Sequence, residues 1–536
     1  MPMSFRRVAG LAAVALTIGM WAACGQVYRP VVIPVNNTPP NPANFHAVFG
    51  ISTNAPGNSG TALQIDVSGD TEIGAANMGI NPTHAVVLPN NSRVFVTAAG
   101  TLNNDGSVNL SGADVVTTFT PAANSIIATG LTAVNAYTFP NVGPTGSNGK
   151  PAWFCSYLPD FVTTTQTSAA FVANYGVEND PNCAPNPNLP NGNSTDSVFL
   201  LSPVFNTITN IAYLAPGSHP VALVETPNGL NLYVLNQGTN TVMNLSTTDL
   251  STVTTIPVGT SPAWAVARAD GQRIYVVTQG DGNLYTIGTD TNAILSTQSV
   301  GGPGANYVLY DKNLNRLYVV NPAAGAVYAF SATTDPPSPM GSPTGALSVP
   351  PPAPCAAPGT CSAVAPVSIA ALPDGSRFYV ASYVTENSCT DPNVGANACM
   401  IPMLTVFDAP TLTIKAASSS ALAPSLSLLT VPQFASAQYA VPVMASCAPT
   451  ASYTPNSTRF RMSAAPAADS SHVYVSICDA GAIADVTATT SSVATGGTNG
   501  IDQLVNDLLP PFSAGPPNPN TGEPPPQSPI FLLTGQ

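Results

Sequence analysis

The chain has 536 residues, room for one large β-architecture or a few ordinary domains. Charged residues make up only 7% and apolar residues an ordinary 44%, so the polar surface must come from Ser, Thr, Asn, Gln and Gly. The net charge of −13, with lysine only at Lys150, Lys312 and Lys415, excludes nucleic-acid binding, which needs cations to displace phosphate counterions.

At the N-terminus, Arg6 and Arg7 precede the apolar run Val8–Met20. A membrane-spanning helix needs about 20 apolar residues, so this run fits a secretory signal segment, predicted over 1–23. The next residues are Trp21-Ala22-Ala23-Cys24-Gly25. Small residues before a cysteine resemble the bacterial lipoprotein processing site, which implies cleavage before Cys24 and a lipid on its thiol. Ordinary signal-peptide cleavage after Ala23 is the alternative. Residues 24–44 contain Pro30, Pro34, Pro39, Pro40 and Pro42 and read as a Pro-rich, polyproline-like tether. These features place the chain, as an expectation, in a bacterial cell envelope. It would be exported and either lipid-anchored to a membrane or free in the periplasm or outside. Membrane contact is expected only through an N-terminal lipid.

Residues 45–76 carry two predicted strands, HAVFGIS and TALQIDV. Farther on, three segments align without gaps, beginning at Gly217, Gly259 and Gly301, each 42 residues after the last. A period near 40–45 residues marks a propeller blade or another repeat array. Each unit reads as four short strands. In the first they are Val221–Glu225, Leu232–Asn236, Thr241–Ser246 and Val253–Val258, with Pro227-Asn228-Gly229 as a turn. Looser copies stand at Pro82–Thr97, Pro151–Asn174, Pro366–Ser382 and Arg459–Ile477. The seven starts predict an all-β, seven-bladed β-propeller over 45–509. Eight blades follow if 45–76 and later strands form a blade of their own. Ring closure is expected from pairing of the N-terminal strands with the last unit, Arg459–Val493, because an open blade edge exposes unpaired backbone. An unclosed β-solenoid is the rival architecture. The tail, 510–536, contains PPFSAGPPNPNTGEPPPQSP and reads as a Pro-rich extension.

Nine cysteines are present. With Cys24 set aside, the even remainder in an exported chain reads as disulfides. Proximity in sequence pairs Cys155 with Cys183, Cys355 with Cys361, Cys389 with Cys399 and Cys447 with Cys478. Eight cysteines nonetheless allow 105 connectivities. No Cys-x-x-Cys occurs and histidine is confined to His46, His84, His219 and His472, so no metal centre is expected. A structural calcium ion is the one cofactor considered, at the oxygen-rich turns Asn103–Ser107, Asp281–Asn283 or Asp290–Asn292. Plain hairpin chemistry accounts for the same turns.

The repeat phrases resemble the YVTN-type, lactonase-like β-propeller family. The hallmark run stands here as Tyr233-Val234-Leu235-Asn236, Tyr275-Val276-Val277-Thr278, Tyr318-Val319-Val320-Asn321 and Tyr379-Val380-Ala381-Ser382. Asp270-Gly271-Gln272-Arg273 and Asp374-Gly375-Ser376-Arg377 match the turn before it. The resemblance covers about half of the mature chain and implies a fold more than a reaction. In its register, positions two after the strand-leading proline lie at one mouth of the central channel: His84, Ala222, Trp264 and Ser368, with Asn306 and Tyr307 nearby. His84, Trp264 and Tyr307 are the candidate binding residues, and packing of the tapering channel is the competing role. Arginines that recur at one repeat position (Arg93, Arg273, Arg316, Arg377) read as structural. No catalytic residues are assigned, and quinone chemistry is disfavoured because only Trp153 and Trp264 follow the signal segment. The expected function is a non-enzymatic binding scaffold for a protein or glycan partner. A lactonase-like hydrolase at the channel mouth is the alternative.

Overall fold

A computed structural model describes residues 47–53, 59–68, 71–89, 93–100, 115–119, 133–137, 139–140, 143–164, 169–180, 183, 189, 194–202, 206–351, 361–387, 389, 398–415, 426–427, 440–443, 447, 461–488, 503–508 and 528–535. The signal segment, Cys24, the tether, His46, Cys355 and the Asn103–Ser107 turn lie outside the described residues. Apart from a 3-10 turn at Cys478–Ala480, regular structure among the described residues is strand.

The strands form eight antiparallel sheets. From the innermost strand outward, blade 1 is Ser528–Thr534, Ala47–Thr53, Ser59–Asp66 and Thr71–Ile80. Blade 2 is Pro82–Val87, Val94–Ala98, Val115–Phe119 and Ala133–Tyr137, and blade 3 is Pro159–Thr164, Ala170–Asn174, Ser197–Ser202 and Thr207–Tyr213. Blade 4 is Pro220–Glu225, Asn231–Asn236, Thr241–Ser246 and Thr252–Pro257, and blade 5 is Pro262–Ala267, Arg273–Thr278, Asn283–Gly288 and Ala293–Ser299. Blade 6 has Tyr307–Asp311, Arg316–Asn321 and Ala326–Ser331, with Ser338–Pro339 and Ala346–Ser348 sharing the outer position. Blade 7 has Ala365–Ala371, Arg377–Glu386 and Cys399–Asp408, edged by Thr413–Ile414, Leu426–Ser427 and Val441–Pro442. Blade 8 is Met462–Pro466, His472–Ile477, Ala482–Thr487 and Gln503–Leu508.

Each innermost strand lies against the next, from blade 1 round to blade 8 and back to blade 1. The architecture is therefore a closed, eight-bladed β-propeller, not a solenoid. The observed ring is the eight-blade alternative, in which residues 45–76 and later strands form a blade; the count of seven lacks this blade 1 because it pairs the N-terminal strands with the last unit. That unit is a blade in its own right. Blade 1 is completed instead by Ser528–Thr534, from the stretch read as a Pro-rich tail. The reason is local: after the last proline cluster the chain runs Ile530-Phe531-Leu532-Leu533, an apolar stretch that gains by leaving water. Its register against Ala47–Thr53 places Phe531 opposite Ile51 and Thr534 opposite Val48. One side of blade 1 buries Val48, Leu63 and Ile65 with Tyr474 and Ile483 of blade 8, and the other buries Phe49, Ile51 and Ala62 with Val94 and Val96 of blade 2.

The second strand of every blade carries an aromatic residue at one register position: Phe49, Phe95, Phe171, Tyr233, Tyr275, Tyr318, Tyr379 and Tyr474. All eight are fully buried. These strands are sandwiched between neighbouring sheets, so they read as near-continuous apolar runs rather than alternating ones. Burial pushes the hydroxyls of Tyr233, Tyr275 and Tyr318 up to about 12. In blades 2, 5 and 6 an arginine two residues earlier reaches forward to the next blade. Arg93 donates to Asn206 Oδ1 (2.5 Å), Arg273 pairs with Asp335 (2.7 Å), and Arg316 donates to the Ala409 carbonyl.

The ring has two unlike faces. On the leading face the innermost strands begin, and on the trailing face they end. Antiparallel order puts the described stretches 143–158, 175–180, 194–196, 349–351 and 361–364 on the leading face. The disulfides Cys155–Cys183, Cys389–Cys399 and Cys447–Cys478, paired as sequence proximity suggests, all lie on the leading side. Cys361 is also disulfide-bonded. Both ends of the ring meet on the trailing face, where Gly535 N–H donates to the Ala47 carbonyl (2.8 Å).

Deleting residues 528–536 is expected to expose the inner edge of blade 1 and remove the burial of Ile530, Leu532 and Leu533, at a cost of several kcal/mol. Thermal melting by circular dichroism should shift down by at least about 5 °C; an unshifted melt would contradict closure by this strand. A second expectation concerns Glu72 on the outer strand of blade 1, where burial raises the carboxyl from 4.5 to about 7. The native state then holds a proton that the unfolded chain has lost, so stability falls as pH rises from about 4.5 to about 7. Glu72→Gln should raise the denaturation midpoint at pH 8 and leave it unchanged at pH 4.

Candidate functional site

The innermost strands of blades 1–5 and 7 share a device. A β-bulge follows the strand-leading proline, and pairing resumes two residues later. The residue at which pairing resumes is Phe531, His84, Phe161, Ala222, Trp264 and Ser368 respectively. Tyr307 in blade 6 and Ser463 in blade 8 hold the equivalent register, opposite Val320 and Ser476.

Five of these eight residues are aromatic, and they meet. His84 stacks on Phe161 with centroids 3.9 Å apart and lies 4.5 Å from Phe531. Trp264 packs edge-on to Phe161 at 5.2 Å and to His84 at 5.9 Å, and Tyr307 extends the chain at 5.0 Å from Trp264. The three residues singled out from the sequence therefore belong to one cluster, with Phe161 and Phe531 between and beside them. Both added residues lie two after a proline, Pro159 and Pro529. Phe161 escaped because the degenerate copy was started at Pro151, and Phe531 because its strand was read as tail.

The polar members of this layer turn to the neighbouring blade. His84 Nδ1 accepts from Val162 N–H (3.5 Å), Ser368 Oγ from Ala464 N–H (3.1 Å) and Ser463 Oγ from Leu532 N–H (3.3 Å). Each donor is the residue after the equivalent position in the next blade. His84 is 5% exposed and Trp264 9%, which fits a packed hub; Tyr307 and Phe531 are half-buried.

A second polar constellation lies on the leading side between blades 3 and 4, and the sequence reading missed it. Asp196, fully buried, precedes the third strand of blade 3; His219 precedes Pro220 of blade 4. Asp196 accepts the His219 backbone N–H (2.6 Å), holding His219 at a positive φ of 47°. Asn240 accepts Ser261 N–H in the same way one blade on (2.8 Å), so this latch between blades repeats. The imidazole adds to it. Nδ1 lies 3.2 Å from Asp196 and 2.9 Å from the Tyr175 carbonyl, and the ring stacks on Tyr175 at 4.4 Å. Hydrogen bonding to Asp196 raises the His219 pKa, opposed by burial and helped by the Tyr175 carbonyl. Ser194 donates its hydroxyl to Asp196. A nucleophilic serine would instead engage the imidazole, so the trio is wired as a strut. No Ser-His-Asp phrase marks it, because its members come from two blades.

In the two described oxygen-rich turns, Asp281 is bonded within its own blade and Asn292 to blade 4. Asp281 accepts from Asn283 Nδ2 (3.1 Å), Tyr285 Oη (3.3 Å) and Thr278 Oγ1. Asn292 Oδ1 accepts from Tyr233 Oη (2.7 Å) and Asn244 Nδ2 (2.9 Å).

No family model matches the sequence, and no curated protein matches it. Among solved structures, the chain is similar to the periplasmic gluconolactonase of Pseudomonas aeruginosa, at 15% identity and a TM-score of 0.43 over 69% of this chain and 94% of that one. It is similar to a Bacteroides uniformis structure named as a 6-phosphogluconolactonase (11% identity, TM-score 0.41, 69% and 94%). It is also similar to hydrazine synthase from Kuenenia stuttgartiensis (15% identity, TM-score 0.39, 61% and 76%). None of these likenesses reaches a TM-score of 0.5; the architecture stands on strand register and ring closure.

The His219–Asp196 pair has a pH signature. Because the folded pKa lies above the unfolded 6.5, its contribution is fully present below about pH 6.5 and fades as pH rises through the folded value. His219→Gln should remove on the order of 1 kcal/mol at pH 6 and progressively less at higher pH. Urea midpoints across pH 5.5–9 measure this; a pH-independent difference would contradict the ion pair.

Proposed function

We propose that this protein is an exported, lipid-anchored β-propeller that acts as a non-enzymatic binding scaffold, presenting its leading face to a protein or glycan partner. The observation that carries the reading is the segregation of the two faces. Among the described residues, the ring's ends sit on the trailing face, while the stretches 143–158, 175–180 and 194–196 and the disulfides sit on the leading face. The Trp21–Gly25 phrase supports a lipid on Cys24 as the membrane attachment. Cross-links such as Cys155–Cys183 limit the freedom of the loops they close. Pre-ordered loops lose less entropy when they bind.

The layer at the channel mouth supports recognition over hydrolysis. Acyl hydrolysis needs a nucleophile or activated water beside donors for the oxyanion. The residues of that layer are Phe531, His84, Phe161, Ala222, Trp264, Tyr307, Ser368 and Ser463, and its described imidazole and hydroxyl acceptors serve neighbouring backbone. Tyr307 and Phe531, half-buried at the edge of the cluster, supply the stacking surface that a sugar ring or an aromatic side chain would use.

Sedimentation with purified envelope glycan, and with the envelope protein fraction, tests the proposal. Replacing the leading-face segment 143–150 with Gly and Ser, or Tyr307 with Ala, should weaken binding at least about tenfold, while replacing the trailing-face turn 227–230 should leave it intact. Mass spectrometry of the mature N-terminus should find lipid on Cys24. Turnover of a sugar lactone that His84→Ala abolishes would overturn the scaffold reading in favour of a hydrolase.

A further inference from the structure

Blade 7 contains a side-chain cluster that neither the ring nor its proposed binding role uses. Glu386 ends the second strand of that blade and is 1% exposed. Its register partner is Cys399, the fully buried first residue of the third strand. Glu386 Oε2 lies 3.5 Å from Cys399 Sγ, and Oε1 lies 3.5 Å from Cys361 Sγ. Cys399 is bonded to the half-buried Cys389, and the ligand-type atoms of Glu386, Cys389 and Cys399 all fall within 4.8 Å of one another. The position of Cys361 is fixed by its neighbour: Ser362 N–H donates to the Thr385 carbonyl (2.8 Å), and Thr385 N–H donates to Ser362 Oγ (2.9 Å). Val364, Val384, Ile401 and Ala440 close the corner with apolar surface.

The chemistry of these two contacts depends on oxidation state. A carboxylate only accepts hydrogen bonds, and a sulfur in a disulfide has no proton to give. In the oxidised protein, Glu386 therefore faces Cys361 and Cys399 as acceptor against acceptor. Opening the sulfur–sulfur bond changes this: the same atoms become two thiolates and a carboxylate converging from one buried corner, the donor set preferred by borderline-soft divalent cations.

We propose that reductive opening of Cys389–Cys399 creates a binding site for a thiophilic divalent cation of the Zn²⁺ type, with Cys389, Cys399 and Glu386 as ligands. The opening step transfers two electrons and two protons from a dithiol reductant, which leaves as its own disulfide. Metal capture then releases both thiol protons to solvent. Zn–S bonds of about 2.3 Å in a tetrahedral set require the sulfurs to part to about 3.8 Å, a change that side-chain rotation supplies. A water completes the tetrahedron. Sequence spacing could not show this site, because its ligands come from two strands and the connection between them.

The test uses the full mature chain, reduced anaerobically with a phosphine and desalted, with Co²⁺ as the spectroscopic probe. Thiolate-to-cobalt charge-transfer absorption should appear in the reduced protein and be missing from the oxidised one. With Zn²⁺ present, alkylation read by peptide mass spectrometry should slow at least about tenfold at Cys389 and Cys399, while Cys155 and Cys183 react as they do without metal. Glu386→Gln should weaken cobalt binding at least about tenfold, with circular dichroism of the oxidised variant confirming the fold. The wild-type alkylation map stands even if that variant fails to fold. Absence of the charge-transfer band, equal protection of all cysteines, or unchanged affinity in a folded Glu386→Gln variant would each overturn the proposal.

Discussion

Each gap between neighbouring blades widens away from the channel, and something large must fill it. The second strand of every blade answers with one aromatic side chain at one register position, from Phe49 round to Tyr474, each fully buried. A buried ring removes more apolar surface from water than an aliphatic side chain does, and it does so where two sheets splay. The tyrosines add a directional tie, as when Tyr233 bonds Asn292 of the next blade. In blades 2, 5 and 6 an arginine two residues earlier adds another, from Arg93 to Asn206, Arg273 to Asp335 and Arg316 to Ala409. Fixing the aromatic fixes the angle between sheets, and the arginine fixes which turn of the next sheet it meets.

A ring built this way has no stable intermediate number of blades. Leaving one gap open would expose two sheet faces and an inner edge together. The chain resolves this by drawing its first and last strands into a single blade, so that closure joins residues far apart in sequence. Such contacts are entropically slow to form, yet they leave both ends of the ring on one face. That placement is what makes the two faces unequal. Among the described residues, one face bears the ends of the ring and the other carries the disulfides.

Much of this was legible in the sequence where the repeat is regular. Between Gly217 and Phe330 the strands, turns and tyrosines read directly, because a 42-residue period leaves little freedom of register. Blade 3 was legible but shifted, since Phe171 replaces the tyrosine and a long connection precedes Pro159. Blade 1 was legible only as the eight-blade alternative, and its closing strand was hidden for a different reason. Phe49 and Phe531 belong to one sheet but lie at opposite ends of the chain, and local pattern cannot report that pairing. The proline cluster before Ser528 also outweighed a short apolar run that only burial explains. At the channel, the rule of two residues past the proline located His84 and Trp264, and applied to every proline-led strand it finds Phe161 and Phe531. The His219–Asp196 strut and the Glu386 corner stayed invisible because their partners come from separate strands or blades.

The channel layer follows from the blade number. Adding a blade to a ring widens its axis, so eight inner strands leave more space than seven would, and small side chains at every position would leave a void. Voids cost stability because their lining loses contact partners. Aromatic residues at five of the eight positions let Trp264 of blade 5 come within 5.9 Å of His84 of blade 2. Ala222, Ser368 and Ser463 take the positions that remain. The hydrogen bonds point the same way, since His84, Ser368 and Ser463 each accept from the following blade's backbone. The described side-chain acceptors of the hub thus serve ring geometry.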